Sequence, residues 1–157
     1  MELYHASKEI VQYPEIRKTK YTKDFSWGFY CTNNMNQAIR WANRGIGEPI
    51  INYYKYVPTE NLKILRFPEI SDEWLDFIAE CRSGKTHTYD IVEGPMANDT
   101  VWNYVNDFLT GRITRRQFWV LAEFKYPTHQ ISFHTLSAID CLIFMKSEVV
   151  HDRTRKK

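Results

Sequence analysis

A single α+β domain is what the sequence predicts, on three observations. Short β-branched and aromatic runs alternate along the whole chain with capped segments of helical spacing. The hydrophobic content of 43% and aromatic content of 15% are enough for one folded core, while 157 residues are too few for two ordinary ones. No repeat, low-complexity tract or linker breaks the pattern. Residues 1–150 therefore read as one domain, and 151–157, "HDRTRKK", as a basic C-terminal tail.

The elements follow in order. "ELYHAS" is a short apolar strand, and residues 8–26, with Tyr13-Pro14 and the basic stretch "RKTKYTK", read as a surface loop. "GFYCT" is a second strand. "NNMNQAIRWANRG" opens on an Asn cap and carries Met35, Ala38, Ile39 and Ala42 at helical spacing up to Gly45. "PIINYYKYV" and "LKILRF" are strands by their composition. "SDEWLDFIAECRSG" is the clearest helix, with Ser71 as cap, acids in its first turn and a terminal glycine. "YDIVEG" is a strand, and "NDTVWNYVNDFLTG" and "TRRQFWVLAEF" are two helices parted at Gly111. "HQISFHT" alternates as a strand, and "LSAIDCLIFMKSEVV" is a helical turn leading into a last strand.

Several functions are excluded first. The net charge is only +2 and much of it lies in the tail, so bulk charge does not argue for nucleic-acid binding. No apolar run reaches the ~18 residues of a membrane span, and "MELYHASKE" does not read as a signal peptide. Cys31, Cys81 and Cys141 form no CxxC pair, which fits free buried thiols in a reducing cytoplasm. "RSGKT" ends like a phosphate-binding loop, but Ala79 stands where the loop's first glycine belongs, and a helix precedes it. The histidines lack zinc-ligand spacing, and nothing near Cys31 in sequence would activate it as a nucleophile.

What remains is a scattered set: "LYHAS", "GFYCTNN", "VEGPMAND" and "THQISFHT". Strand parity orders them. Phe29 and Cys31 share one face of their strand, and Tyr30 shares the other with Gly28 and Thr32. Ile131 and Phe133 share a face, and that face is expected to pack inward. Gln130, Ser132 and His134 then form a polar row looking into a cleft or solvent.

The order of these motifs resembles the three signature strands of the ADP-ribosyltransferase superfamily, in its His-Tyr-Glu-like branch. The chain is also similar to a small uncharacterised bacterial family suspected of containing toxins, each with a neutralising partner. The resemblance implies a split β-sheet core with flanking helices and NAD as substrate, with no metal. His5 matches the histidine that hydrogen-bonds the adenosine ribose, and Ser7 the small polar residue beside it. Tyr30 matches the ring stacked on nicotinamide, and Trp41 a second stacking aromatic. Gly28 would let ligand approach the backbone, while Phe29 packs behind. Arg17 and Lys18 would meet the pyrophosphate. Gln130 aligns with the catalytic glutamate, making His5, Tyr30 and Gln130 the implied catalytic set.

Two departures bear on the chemistry. Ala6 replaces the glycine whose backbone pairs with the nicotinamide amide, and it keeps that contact if its φ is negative. Gln130 can hydrogen-bond the ribose 2′-OH, but it brings no negative charge to an oxocarbenium-like transition state and cannot act as a base. Glu93 or Asp99 would be the substitute acid. The resemblance thus implies a cytoplasmic mono-ADP-ribosyltransferase with a protein or nucleic-acid acceptor and an antitoxin-like partner. The alternative is an inactive member of the fold that binds NAD, ADP-ribose or a partner protein.

Overall fold

The computed structural model describes residues 1–18, 23–97, 99–122 and 128–150, with the side chains of 99 and 100 outside that description. The tail 151–157 lies outside it as well. The described strands are β1 (Glu2–Ser7), β2 (Phe29–Cys31), β3 (Ile50–Tyr56), β4 (Ile64–Arg66), β5 (Ile91–Gly94), β6 (Gln130–Phe133) and β7 (Leu142–Val149). The helices are α1 (Met35–Ala42), α2 (Asp72–Arg82), α3 (Asp99–Leu109), α4 (Arg115–Leu121) and α5 (Leu136–Ile139). Every expected element is present, and the mixed α/β single domain stands. "LKILRF" contributes only three strand residues, because the pairing with β5 spans Ile64 to Arg66.

The strands divide into two sheets, ordered β1-β3-β7 and β2-β6-β5-β4. An isolated bridge between Tyr4 and Thr32 stitches β1 to the end of β2, so the sheets meet along that edge. Leu3, Tyr54, Tyr56 and Leu142 from the first sheet pack on Phe29, Cys31, Ile91, Ile131 and Phe133 from the second. This is the central core, and Phe29, Ile131 and Phe133 face it as parity requires. The outer face of the second sheet packs on α2, α3 and α4 through Trp74, Leu75, Ile78, Val101, Val105 and Phe118. Helix α1 lies on the outer face of the first sheet, through Ala38 and Ala42 against Ile51 and Tyr53.

That helical layer corrects one expectation. Of the row Gln130, Ser132, His134, the first reaches a cavity as expected, whereas Ser132 and His134 are packed inside. Ser132 is fully buried and Gln130 is only 4% exposed, because β6 is an interior strand covered on both faces. Residues 8–26 are also not a surface loop to their end. Phe25 is fully buried and Asp24 and Ser26 nearly so.

Local chemistry explains the helix positions that matter for the cleft. The Asn34 side chain caps α1 by accepting from Gln37 N–H. Buried Gln37 donates through Nε2 to His129 O at 2.6 Å and accepts from His129 N at 3.1 Å. This two-way amide bond ties α1 to the residue immediately before Gln130. Ser71 caps α2, whose first turn carries Asp72 and Glu73 against the helix dipole. Helix α2 bridges the parallel pair β4–β5 and delivers Arg82 at its last residue. Gly84, at φ +100°, follows its C-cap Ser83, so "RSGKT" closes a helix rather than opening one.

A candidate bipartite ligand cleft

Two neighbouring cavities have His5, Lys23 and Tyr30 in common. The first, of about 490 Å³, is lined also by Ser7, Arg17, Trp27 and Gly28. The second, of about 350 Å³, adds Asp24, Trp41, Arg82, Met96, Trp102 and Gln130. The structure thus brings His5, Ser7, Arg17, Gly28, Tyr30, Trp41 and Gln130 to one cleft from β1, β2, α1, β6 and the loop after β1.

His5 stacks on Phe29, with ring centroids 4.1 Å apart, and donates from Nδ1 to Tyr30 O at 2.6 Å. Burial lowers its pKa to about 4. The imidazole is therefore neutral near pH 7, and with Nδ1 as donor its Nε2 is a bare acceptor, suited to a hydroxyl group. Ala6 points its side chain at the α1 layer. Tyr4 exchanges both backbone hydrogen bonds with Thr32, so Ala6, two residues on, directs its N–H and C=O to the same side of β1. Ser26 and Asn61 are the described non-glycine residues with positive φ, so Ala6 meets its condition.

Tyr30 is only 7% exposed. Its hydroxyl donates to Ser26 O at 2.6 Å and accepts from Phe25 N at 3.0 Å, within the turn that leads into β2. Phe25 lies nearly parallel to one side of the ring at 6.5 Å, and the Lys23 ammonium sits 4.9 Å from the ring centroid. Desolvation lowers the Lys23 pKa, although the side chain reaches the surface. Lys23 was not among the residues singled out from sequence, where it is one of several cations in "RKTKYTK". Arg17 is at the rim, within 3.3 Å of Glu15 and 3.6 Å of Glu9. Lys18 Nζ lies 5.9 Å from the Trp27 ring.

Gly28 lines the first cavity and also backs onto His134. A Cβ there would stand 2.8 Å from His134 Nδ1 and 2.9 Å from Phe133 O, so the glycine admits His134. His134 in turn bonds Trp27 O at 2.8 Å and lies 2.6 Å from Ser132 Oγ. It is packing behind the cleft wall.

The acid lining the second cavity, among the described residues, is Asp24. Its Oδ1 accepts from Arg82 Nε at 2.8 Å and from Arg82 Nη2. Its Oδ2 accepts from Ala97 N at 3.0 Å and from Gln130 Nε2 at 2.9 Å. Glu93 is not brought there. It pairs with Ile131 while Gly94 pairs with Gln130, which puts its side chain on the opposite face of the sheet. There it meets His129 Nε2 at 2.7 Å and Arg66 Nε at 3.3 Å, and His129 chiefly holds its pKa low. The Asp99 side chain lies outside the described residues. Cys31 is buried and its thiol pKa is pushed up by burial, so it is no nucleophile. Among the described residues no helix is long and apolar enough to cross a membrane, and no cluster of metal-binding side chains occurs.

A family model described as "Protein of unknown function (DUF3990)" matches residues 1–144. No curated protein and no solved structure matches the chain.

Proposed function

The chain belongs to that family, whose description assigns no function, and from the geometry of the cleft we propose that it is an NAD-dependent mono-ADP-ribosyltransferase acting on a macromolecular acceptor. One observation carries the reading: two cavities of nucleoside size adjoin at a shared wall that bears a cation, Lys23. A dinucleotide has that form, two halves joined by a pyrophosphate. The adenosine half would occupy the larger cavity, where neutral His5 offers Nε2 to a ribose hydroxyl. The nicotinamide riboside would occupy the smaller one, between Tyr30 and Trp41, with Gln130 at the 2′-OH. The pyridinium is itself cationic, so it would take over the place of the Lys23 ammonium on Tyr30, freeing Lys23 for the phosphates.

In the transfer the glycosidic C–N bond breaks, nicotinamide leaves with the electron pair, and an acceptor nucleophile closes on the anomeric carbon and loses its proton. A cytoplasmic toxin restrained by a small partner protein fits this chemistry, since an unrestrained transferase would damage its own cell.

A second reading, a binding module for NAD or ADP-ribose without turnover, is favoured by Asp24. Both its oxygens are engaged, so it offers no free carboxylate at the position where charge develops. Incubation of the full chain with NAD separates the readings. Free nicotinamide above the protein-free rate supports the enzyme. Saturable quenching of tryptophan fluorescence without release supports the binding module. Neither binding nor release removes both.

A further inference from the structure

The orientation of the Gln130 amide is fixed by its neighbours, and the consequence rests on the ADP-ribosyltransferase reading above. Gln130 Nε2 lies 2.9 Å from Asp24 Oδ2 and 3.2 Å from Pro95 O. Both neighbours are acceptors, so the nitrogen and not the oxygen must face them. With both amide hydrogens committed, Oε1 is the atom left for the cleft that Gln130 lines.

Asp24 is itself immobilised. It is 4% exposed and its two oxygens are divided, Oδ1 to the Arg82 fork and Oδ2 to the Ala97 and Gln130 donors. The Arg82 guanidinium is packed 3.4 Å from the centroid of Trp102, which holds the pair in one geometry. A buried ion pair is a poor source of stability, and its best-attested use is to fix an arrangement.

The geometry points to Asp24 as a positioning residue that turns Gln130 into a one-way hydrogen-bond acceptor for a substrate hydroxyl. Donation to a carboxylate also polarises the amide, so Oε1 carries more negative charge than that of a glutamine in water. The Asp24–Gln130 pair thereby performs the hydroxyl-accepting half of the expected glutamate's work. The proton-accepting half is absent from this pair, because Asp24 has no free oxygen.

The test is the side-chain amide of Gln130, followed in isotope-labelled full-length protein. In the wild type its hydrogens should exchange with solvent at least about tenfold more slowly than those of an exposed glutamine. Exchange at the exposed rate overturns the proposal, whatever the variants do. In Asp24→Ala, which leaves Gln130 Nε2 with Pro95 O as its remaining acceptor, that protection should be lost, and kcat for nicotinamide release should fall about tenfold with KM changed less than about threefold. Unchanged protection in this variant also overturns it. Should Asp24→Ala fail to fold, wild-type amide exchange alone decides, and exchange at the exposed rate still overturns the proposal. If the wild type releases no nicotinamide, the enzyme reading falls, while amide exchange still decides the role of Asp24.

Discussion

Gln130 Nε2 donates to Asp24 Oδ2 across 2.9 Å, joining residues 106 positions apart in a site where the resemblance leads one to expect a glutamate. Gln130→Glu would therefore set two carboxylates at hydrogen-bond distance, with Pro95 O as a third acceptor. One of the pair would have its pKa raised in the folded state, which then binds more protons than the unfolded chain. Stability from that proton is present at low pH and is lost as pH rises through the raised pKa. We predict that Gln130→Glu is destabilised by roughly 2–4 kcal/mol near neutral pH, recovers on mild acidification, and gains no nicotinamide release. Denaturant titrations at two pH values check it. Wild-type stability at neutral pH with faster release would show that Asp24 yields its place.

Lys23 offers a simpler test. Its ammonium stands on the wall common to both cavities, and desolvation lowers its pKa. A pyrophosphate at that wall would compensate the ammonium for the solvent it has lost. Lys23→Met should weaken NAD and ADP-ribose by about 1.5–3 kcal/mol, the range for a charge-assisted hydrogen bond. It should leave nicotinamide alone, which has no phosphate, unaffected. Calorimetric titration with the three ligands decides it, and equal loss for all three would remove the pyrophosphate assignment.

Tyr30 joins packing to the cleft more closely than its motif implies. Phe29 and Tyr30 are 5% and 7% exposed, so truncating either to alanine should cost about 3–5 kcal/mol of stability. The informative variant is Tyr30→Phe. It removes the bonds to Ser26 O and Phe25 N but keeps the ring over the cleft. We predict a loss of about 1–2 kcal/mol in stability with NAD affinity nearly unchanged. A large fall in affinity at full stability would mean that the hydroxyl, not the ring, meets the ligand.

The elements of the fold were legible because local signals agree with tertiary need. Asn34, Ser71 and Thr114 are capping types, and each accepts from the backbone as expected. Parity placed Phe29, Ile131 and Phe133 on the inner face, since alternation survives in any strand. What parity cannot say is that a helical layer covers the other face, and so alternation alone leaves Ser132 and His134 facing a cleft or solvent. Asp24 was missed for a related reason. In sequence it is one acid at the end of a basic loop, and its partners Arg82, Ala97 and Gln130 are all more than fifty positions away. A buried Phe25 beside it was the available signal, because a wholly apolar ring in a supposed surface loop argues that the chain turns inward there.

The last prediction concerns pH. His5 and His134 each have a pKa lowered from 6.5 to about 4, with burial the largest cause in both. For His5 the Lys23 and Arg17 charges add to the fall, and for His134 the neighbouring His87, ring to ring at 4.4 Å, does so. Between these values the unfolded chain binds more protons than the native one, so stability must fall as the solution is acidified from about pH 6.5 towards pH 4. Each histidine contributes at most roughly 3 kcal/mol to that fall. Glu93, whose pKa is lowered chiefly by His129, adds a loss at the acid end of the same range. Replacing His134 by Gln leaves an amide to meet Trp27 O and removes one titrating group. Its thermal midpoint should therefore be lower than wild type at neutral pH, and should decline less steeply on acidification. Parallel pH profiles for the two proteins would show that His134 is protonated in the native state and that its burial is not what limits acid stability.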